Sequence, residues 1–144
     1  MYYATMNLAE ILISLYSNIA VLIKKSTISQ KITLSQLLCI NAIPFDGISQ
    51  SDLSNSLNIE FSTLSRNLDK LLDKGLIKKK KSSSDLRLKK IYLTDKGISL
   101  NKNIIVLLQK ELHQFNDQIH VEEELLSVIS KFNWILFKDK HSYE

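Results

Sequence analysis

One proline, three glycines and one cysteine stand among 144 residues, and only two of the nineteen basic side chains are arginine. A single thiol excludes an internal disulfide framework and a multi-cysteine zinc cage, and it suits a reducing compartment. Glycine is too scarce for a dinucleotide fingerprint or a collagen-like repeat. No Gly-rich phosphate loop, G-x-S-x-G elbow or H-E-x-x-H pair occurs, so no catalytic residue is assigned, no cofactor is implied, and the chain does not read as an enzyme. A long unbroken apolar run is also missing. Leu8 to Ile23 is rich in Leu and Ile, but Glu10, Ser14, Ser17 and Asn18 interrupt it, and no Lys or Arg precedes Lys24 as a signal peptide would require. The expectation is a cytoplasmic protein with no membrane partner.

What is present is 44% hydrophobic and 24% charged, enough for one folded domain. The formal charge of +4 hides an asymmetry. From Glu60 to Lys96 there are eleven basic and five acidic residues, a net of +6, whereas the rest of the chain nets −2. A basic segment in an otherwise slightly acidic domain is the footprint of a polyanion-binding face. A lysine run such as Lys78 to Lys81 can equally be a solvated surface, so the shape of the segment has to decide.

That shape follows from caps and periods. Thr33-Leu-Ser-Gln36 is a capping box that opens a short helix with Leu34, Leu37, Leu38 and Ile40 as its apolar positions, ending near Pro44. Ser49, with Asp52 three residues on, caps a second short helix that carries Leu53 and Leu57. A third, longer helix shows Leu64, Leu68, Leu71 and Leu72 as one stripe, and Gly75 followed by Leu76 marks its stop. Two helices joined by a tight turn, the second the longer, form a helix-turn-helix. Ile77–Lys81 and Arg87–Leu93 then read as the strands of a hairpin around the polar Ser82–Asp85 loop, and Thr94 caps the helix that follows.

The fold class expected is mainly α with a small β-hairpin wing. A winged helix-turn-helix core occupies 33–93, flanked by an N-terminal helix in 1–32 and C-terminal helices in 94–144. Stripes at Leu8, Leu12, Leu15, Ile19 and Leu22, at Ile104, Leu108, Leu112, Phe115 and Ile119, and at Leu125, Ile129, Phe132 and Leu136 mark these flanking helices. Each carries further apolar groups off its stripe, such as Ile13, Ile105 and Trp134. A helix so apolar around its circumference needs neighbours on several sides, which points to a homodimer built from the terminal helices.

The third helix presents Ser62, Thr63, Ser65, Arg66, Asn67 and Lys70 away from its leucines. These are hydrogen-bonding side chains suited to base edges and phosphates in a major groove, Arg66 to guanine and Asn67 to adenine. The alternative is a solvated face with Arg66 paired to Asp69 and Lys70 to Asp73. In the wing, Arg87 can enter a narrow minor groove with Asp85 orienting it, while Lys78 to Lys81, Lys89 and Lys90 supply phosphate contacts, with Lys79, Lys81 and Lys89 taken as the site residues. An Asp-Arg pair that merely stiffens the hairpin remains open beside that.

The order of elements, with "LLDKGLIKKK", Asp85-x-Arg87 and Ile91-x-Leu93-Thr94-x-x-Gly97, resembles the MarR family of winged-helix transcription regulators over roughly residues 30 to 100. The resemblance implies a homodimer on the double-stranded DNA of a pseudo-palindromic operator, most often as a repressor, with release by a small-molecule effector, an oxidant or a metal. Two departures stand out. Glu60-Phe61 replaces the family's Asp or Ser with Pro before the recognition helix, and Ser84 and Leu86 stand where the wing often has a second acid and a second arginine. The competing function is a winged-helix protein-interaction module that binds an acidic partner. A metal-responsive regulator is a further alternative, since His113, Asp117 and His120 align at helical spacing, but no second ligand cluster completes a site and no metal is assigned. Cys39 lies in an apolar run without a nearby cation and reads as structural.

Overall fold

The computed structural model describes residues 7–81, 89–113 and 123–141. In chain order it contains α1 (Leu8–Ile28), α2 (Leu34–Ala42), β1 (Ile48–Ser49), α3 (Gln50–Leu57), α4 (Phe61–Asp73), β2 (Ile77–Lys81), β3 (Lys89–Leu93), α5 (Asp95–His113) and α6 (Glu123–His141). The mainly helical class with a small hairpin is the one expected from the sequence. Contacts divide the chain into two units, Met1–Leu108 and Gln109–Glu144.

In the first unit, side chains satisfy orphan N–H groups at the starts of α1, α2 and α3. The box at Thr33 is complete: its hydroxyl accepts from the Gln36 N–H at 3.2 Å, and the Gln36 amide oxygen accepts from the Thr33 N–H at 3.2 Å. Ser49 caps α3 by accepting from the Asp52 N–H at 3.0 Å. Asn7 and Glu10 form a second full box at the head of α1, in which the sequence had shown Glu10 only as an interruption.

Helices α2, α3 and α4 pack on one another. Leu53, Leu64, Leu68 and Leu71 are wholly buried between them, and Leu76, Ile77 and Ile91 extend the core under the hairpin. The three-residue turn between α3 and α4 is made by Asn58 in the left-handed region at φ 50°, one of the few non-glycine residues that adopts it readily. The Ser54 hydroxyl locks that turn by donating to the Ile59 carbonyl at 2.7 Å. At the other end of α4, Gly75 sits at φ 67° while its N–H donates to Leu72 and that of Leu76 to Leu71. This is a Schellman stop, and Leu76 is buried as its hydrophobic contact requires.

Two expectations change. Leu38, read as an inward position of α2, is 47% exposed, and Cys39 takes its place in the core. Four consecutive apolar residues on a helix cannot all face one side. The sheet also has a third strand: β1 pairs antiparallel with β3, Ile48 opposite Ile91, giving the order β1-β3-β2. The first hairpin strand matches the expected Ile77–Lys81; the second, expected from Arg87, is described from Lys89, with 82–88 outside the described residues.

By length and composition alone, α1 is the one described helix apolar enough to cross a membrane. Its last turn is nonetheless protein-bound, with Ser26 and Thr27 buried and the helix packed on α2. Upstream of that turn, Leu8, Ile13, Tyr16 and Val21 are each more than half exposed. In the second unit, α6 exposes Leu126, Ile129, Trp134 and Leu136. There the Trp134 and Phe137 rings stack at 5.7 Å, with the Lys138 ammonium 5.4 Å from the Trp134 centroid.

Candidate nucleic-acid interface

Because Leu64, Leu68 and Leu71 turn inward, the opposite face of α4 is fixed toward solvent. Ser62, Arg66 and Lys70 follow one another along it at four-residue spacing, all exposed, with Thr63 exposed beside them. Ser65 and Asn67 occupy its two flanks and are each half-buried, so they border the outward face rather than lie on it. The pairs that would neutralise the helix, Arg66 with Asp69 and Lys70 with Asp73, do not form among the described residues. The guanidinium fork and the ammonium are therefore available to a partner.

The sequence reading did not assign Phe61, which opens α4 and leaves its ring 55% exposed at the same end. An apolar ring at the tip of a groove-entering helix is suited to the methyl group of thymine. Glu60, the residue before it, makes no side-chain cap. Its longer side chain fails where a shorter carboxylate accepts from N2 or N3. Glu60→Asp is accordingly expected to raise stability by about 1 kcal/mol, read as a shift of the urea midpoint at fixed protein concentration without a change in slope.

The hairpin supplies the rest of the basic surface. In β2 only Ile77 is buried; Lys78 to Lys81 are all exposed. Register separates these lysines by face. Lys79 lies opposite Ile91 and Lys81 opposite Lys89, so Lys79, Lys81 and Lys89 share the face that at its root enters the core. Lys78 and Lys80 share the other face with Tyr92 and Lys90, and Lys90 reaches back to the Asp46 carbonyl at 3.5 Å. Of the lysines read as phosphate contacts, Lys79, Lys81 and Lys89 are thus brought to one side, and Lys78, Lys80 and Lys90 to the other. Asp85 and Arg87 lie outside the described residues.

Little in the rest of the unit suggests other chemistry. Cys39 is fully buried, and burial pushes its thiol from the ordinary 9.0 up to about 11. A group whose folded pKa lies above its unfolded one stabilises the fold fully below pH 9.0 and loses that contribution as pH rises toward 11. Near neutrality the thiol is protonated and inert, in keeping with a structural role. No cluster of three metal-ligating side chains occurs among the described residues, which include His113 but not Asp117 or His120. An open cleft of about 510 Å³ lies where α1 meets the start of α2, lined mainly by Val21, Ile28, Ile32 and Leu34, with Lys24 and Thr27 as polar groups.

Comparison with known proteins identifies this arrangement. Residues 32–89 match the family model described as MarR family. The wild-type apo MarR of E. coli superposes with a TM-score of 0.75 at 20% identity, over 91% of this chain and 98% of that one. A mutant of S. aureus MepR bound to an oligodeoxyribonucleotide gives 0.65 at 23% identity, over 91% and 97%. CouR from Rhodococcus jostii bound to p-coumaroyl-CoA gives 0.77 at 14% identity, over 94% and 93%. At these identities the structural likeness speaks to the fold, and the family model speaks to the segment that carries α2 through the hairpin. Together they agree with the resemblance read from the motifs: residues 32–89 match the MarR family model, and the chain has the winged-helix fold seen in the MarR-type transcription regulators.

Proposed function

We propose that the protein is a homodimeric, sequence-specific double-stranded DNA-binding regulator, acting as a repressor that a small ligand releases. The observation that carries this reading is the outward face of α4, where Ser62, Thr63, Arg66 and Lys70 stand exposed, and Arg66 and Lys70 have no ion-pair partner among the described residues, at the end of a helix-turn-helix. Inserted in a major groove, Arg66 reads guanine through O6 and N7, while Lys70, Lys79, Lys81 and Lys89 neutralise phosphates and set the register. Arg87 and Asp85 complete the wing in the adjacent minor groove. The exposed apolar surfaces of α1 and α6 are the surfaces that a second copy covers, and two copies present two recognition helices to one pseudo-palindromic operator. In this role α1 is a dimerisation helix of a cytoplasmic protein rather than a membrane span. The cleft beside Lys24 suits an effector with an apolar body and an anionic end. The S. aureus relative on an oligodeoxyribonucleotide and the Rhodococcus relative with an acyl-CoA favour both halves of the proposal.

Enrichment from a random duplex library followed by titration at several salt concentrations tests it. A regulator gives an enriched sequence with log affinity falling linearly against log salt, by roughly 0.9 for each phosphate contact. An interaction module that binds acidic protein partners instead shows no duplex preferred over random.

A further inference from the structure

The first turn of α5 grips the turn that ends α4. The Thr94 hydroxyl donates to the Gly75 carbonyl at 2.7 Å and accepts from the Gly97 N–H at 3.1 Å. The Thr94 N–H donates to the Leu76 carbonyl at 3.0 Å, and the Lys96 ammonium donates to the Lys74 carbonyl at 2.7 Å. Carbonyls 74, 75 and 76, in the turn that follows α4, are thus each taken by a donor from Thr94 or Lys96. The Lys74 ammonium extends the chain by donating to the Lys31 carbonyl just past the end of α1. Gly97 is buried, and a Cβ on it would stand 2.1 Å from the Leu76 carbonyl oxygen, so the two backbones meet with no room for any side chain.

This grip has a functional consequence, which rests on the reading of α4 as the DNA-reading helix. We propose that Lys74, Thr94, Lys96 and Gly97 are positioning residues. They fix the angle at which α4 and the root of β2 meet the duplex. Lys74 and Lys96, although they belong to the basic segment, spend their charges on main-chain carbonyls and contact no phosphate. The basic segment therefore has two classes of lysine, one that holds the reading head and one, typified by Lys79, that touches DNA.

Anisotropy titrations at several KCl concentrations separate the two classes, using the duplex enriched by the wild-type protein and a random duplex of equal length. Thr94→Val removes one hydroxyl, and with it both of its hydrogen bonds, at nearly constant shape and is expected to weaken the enriched duplex roughly tenfold, within the worth of the two bonds that held the pose. Random-duplex affinity and salt slope stay as in the wild type, because non-specific binding tolerates a tilted helix. Thr94→Ser, which restores the hydroxyl, is expected to recover the preference. Lys74→Met and Lys96→Met keep the wild-type slope, whereas Lys79→Met lowers it by roughly 0.9. All variants are compared well below their thermal midpoints with unchanged circular dichroism. A slope reduced by Lys74→Met or Lys96→Met makes those lysines phosphate contacts and overturns the proposal, as does an undiminished preference in Thr94→Val. A wild-type protein with no preferred duplex removes the DNA reading itself, and the proposal with it.

Discussion

Arg66→Ala is expected to weaken binding to the enriched duplex by about 1–3 kcal/mol, while random duplex is bound almost as before. The asymmetry follows from where the side chain stands. Arg66 lies at the middle of the outward line Ser62–Arg66–Lys70, exposed and without an acidic partner on its own helix. On the proposed reading its donors, without an acidic partner among the described residues, meet a base edge, so truncation is expected to forfeit a bidentate pair on the cognate site and only diffuse attraction elsewhere. Arg66→Lys is expected to recover the non-specific part but not the preference, since an ammonium cannot form the planar fork. An equal loss on cognate and random duplex would make Arg66 one more phosphate contact.

Leu68→Ala is expected to cost about 2–5 kcal/mol of stability, the range for emptying a fully buried leucine site. Leu68 has no exposed surface and sits midway along the apolar side of α4, where α2, α3 and α4 meet. Against a typical total of roughly 5–15 kcal/mol, such a loss is large enough to unseat α4. Denaturant titration at fixed protein concentration reads it directly, because a dimer's apparent stability varies with concentration. A change below 1 kcal/mol would mean that the three helices repack around the cavity.

The parts of the fold that were legible in the sequence are those written in local chemistry. Thr33 with Gln36, Ser49 with Asp52 and Gly75 with Leu76 each act within a few residues, and each closes as its spacing dictates. The box at Asn7 and Glu10 was present in the same form but was masked by the apolar run around it. Strand β1 was not legible because two residues carry no alternation, and its partner Ile91 lies more than forty positions away. Leu38 was misassigned for a related reason: an unbroken apolar run does not state which members face inward, and only packing against α3 and α4 decides.

At the candidate interface, the leucine stripe of α4 was enough to place Arg66, Ser62, Thr63 and Lys70 on the opposite side. It was not enough to show that Ser65 and Asn67 are flanks, since the width of the buried side depends on neighbouring helices. Charge counting was blunter still. It put Lys74 and Lys96 with Lys79 and Lys81, yet the first two ammonium groups sit on carbonyls of distant residues: the closeness of α5 to the α4 turn brings Lys96 to the Lys74 carbonyl, and that of the α4 turn to the segment after α1 brings Lys74 to the Lys31 carbonyl.

Hydroxyl-radical footprinting of the enriched duplex tests the proposed homodimer and its use of α4 most directly. Two protected stretches are expected on one face of the DNA, centred about one helical turn apart and related as an inverted repeat. Each should fade in Arg66→Ala at a protein concentration that saturates the wild type. Protection that covers enriched and random duplexes alike, or a single unrepeated patch, would contradict a homodimer that reads DNA through α4.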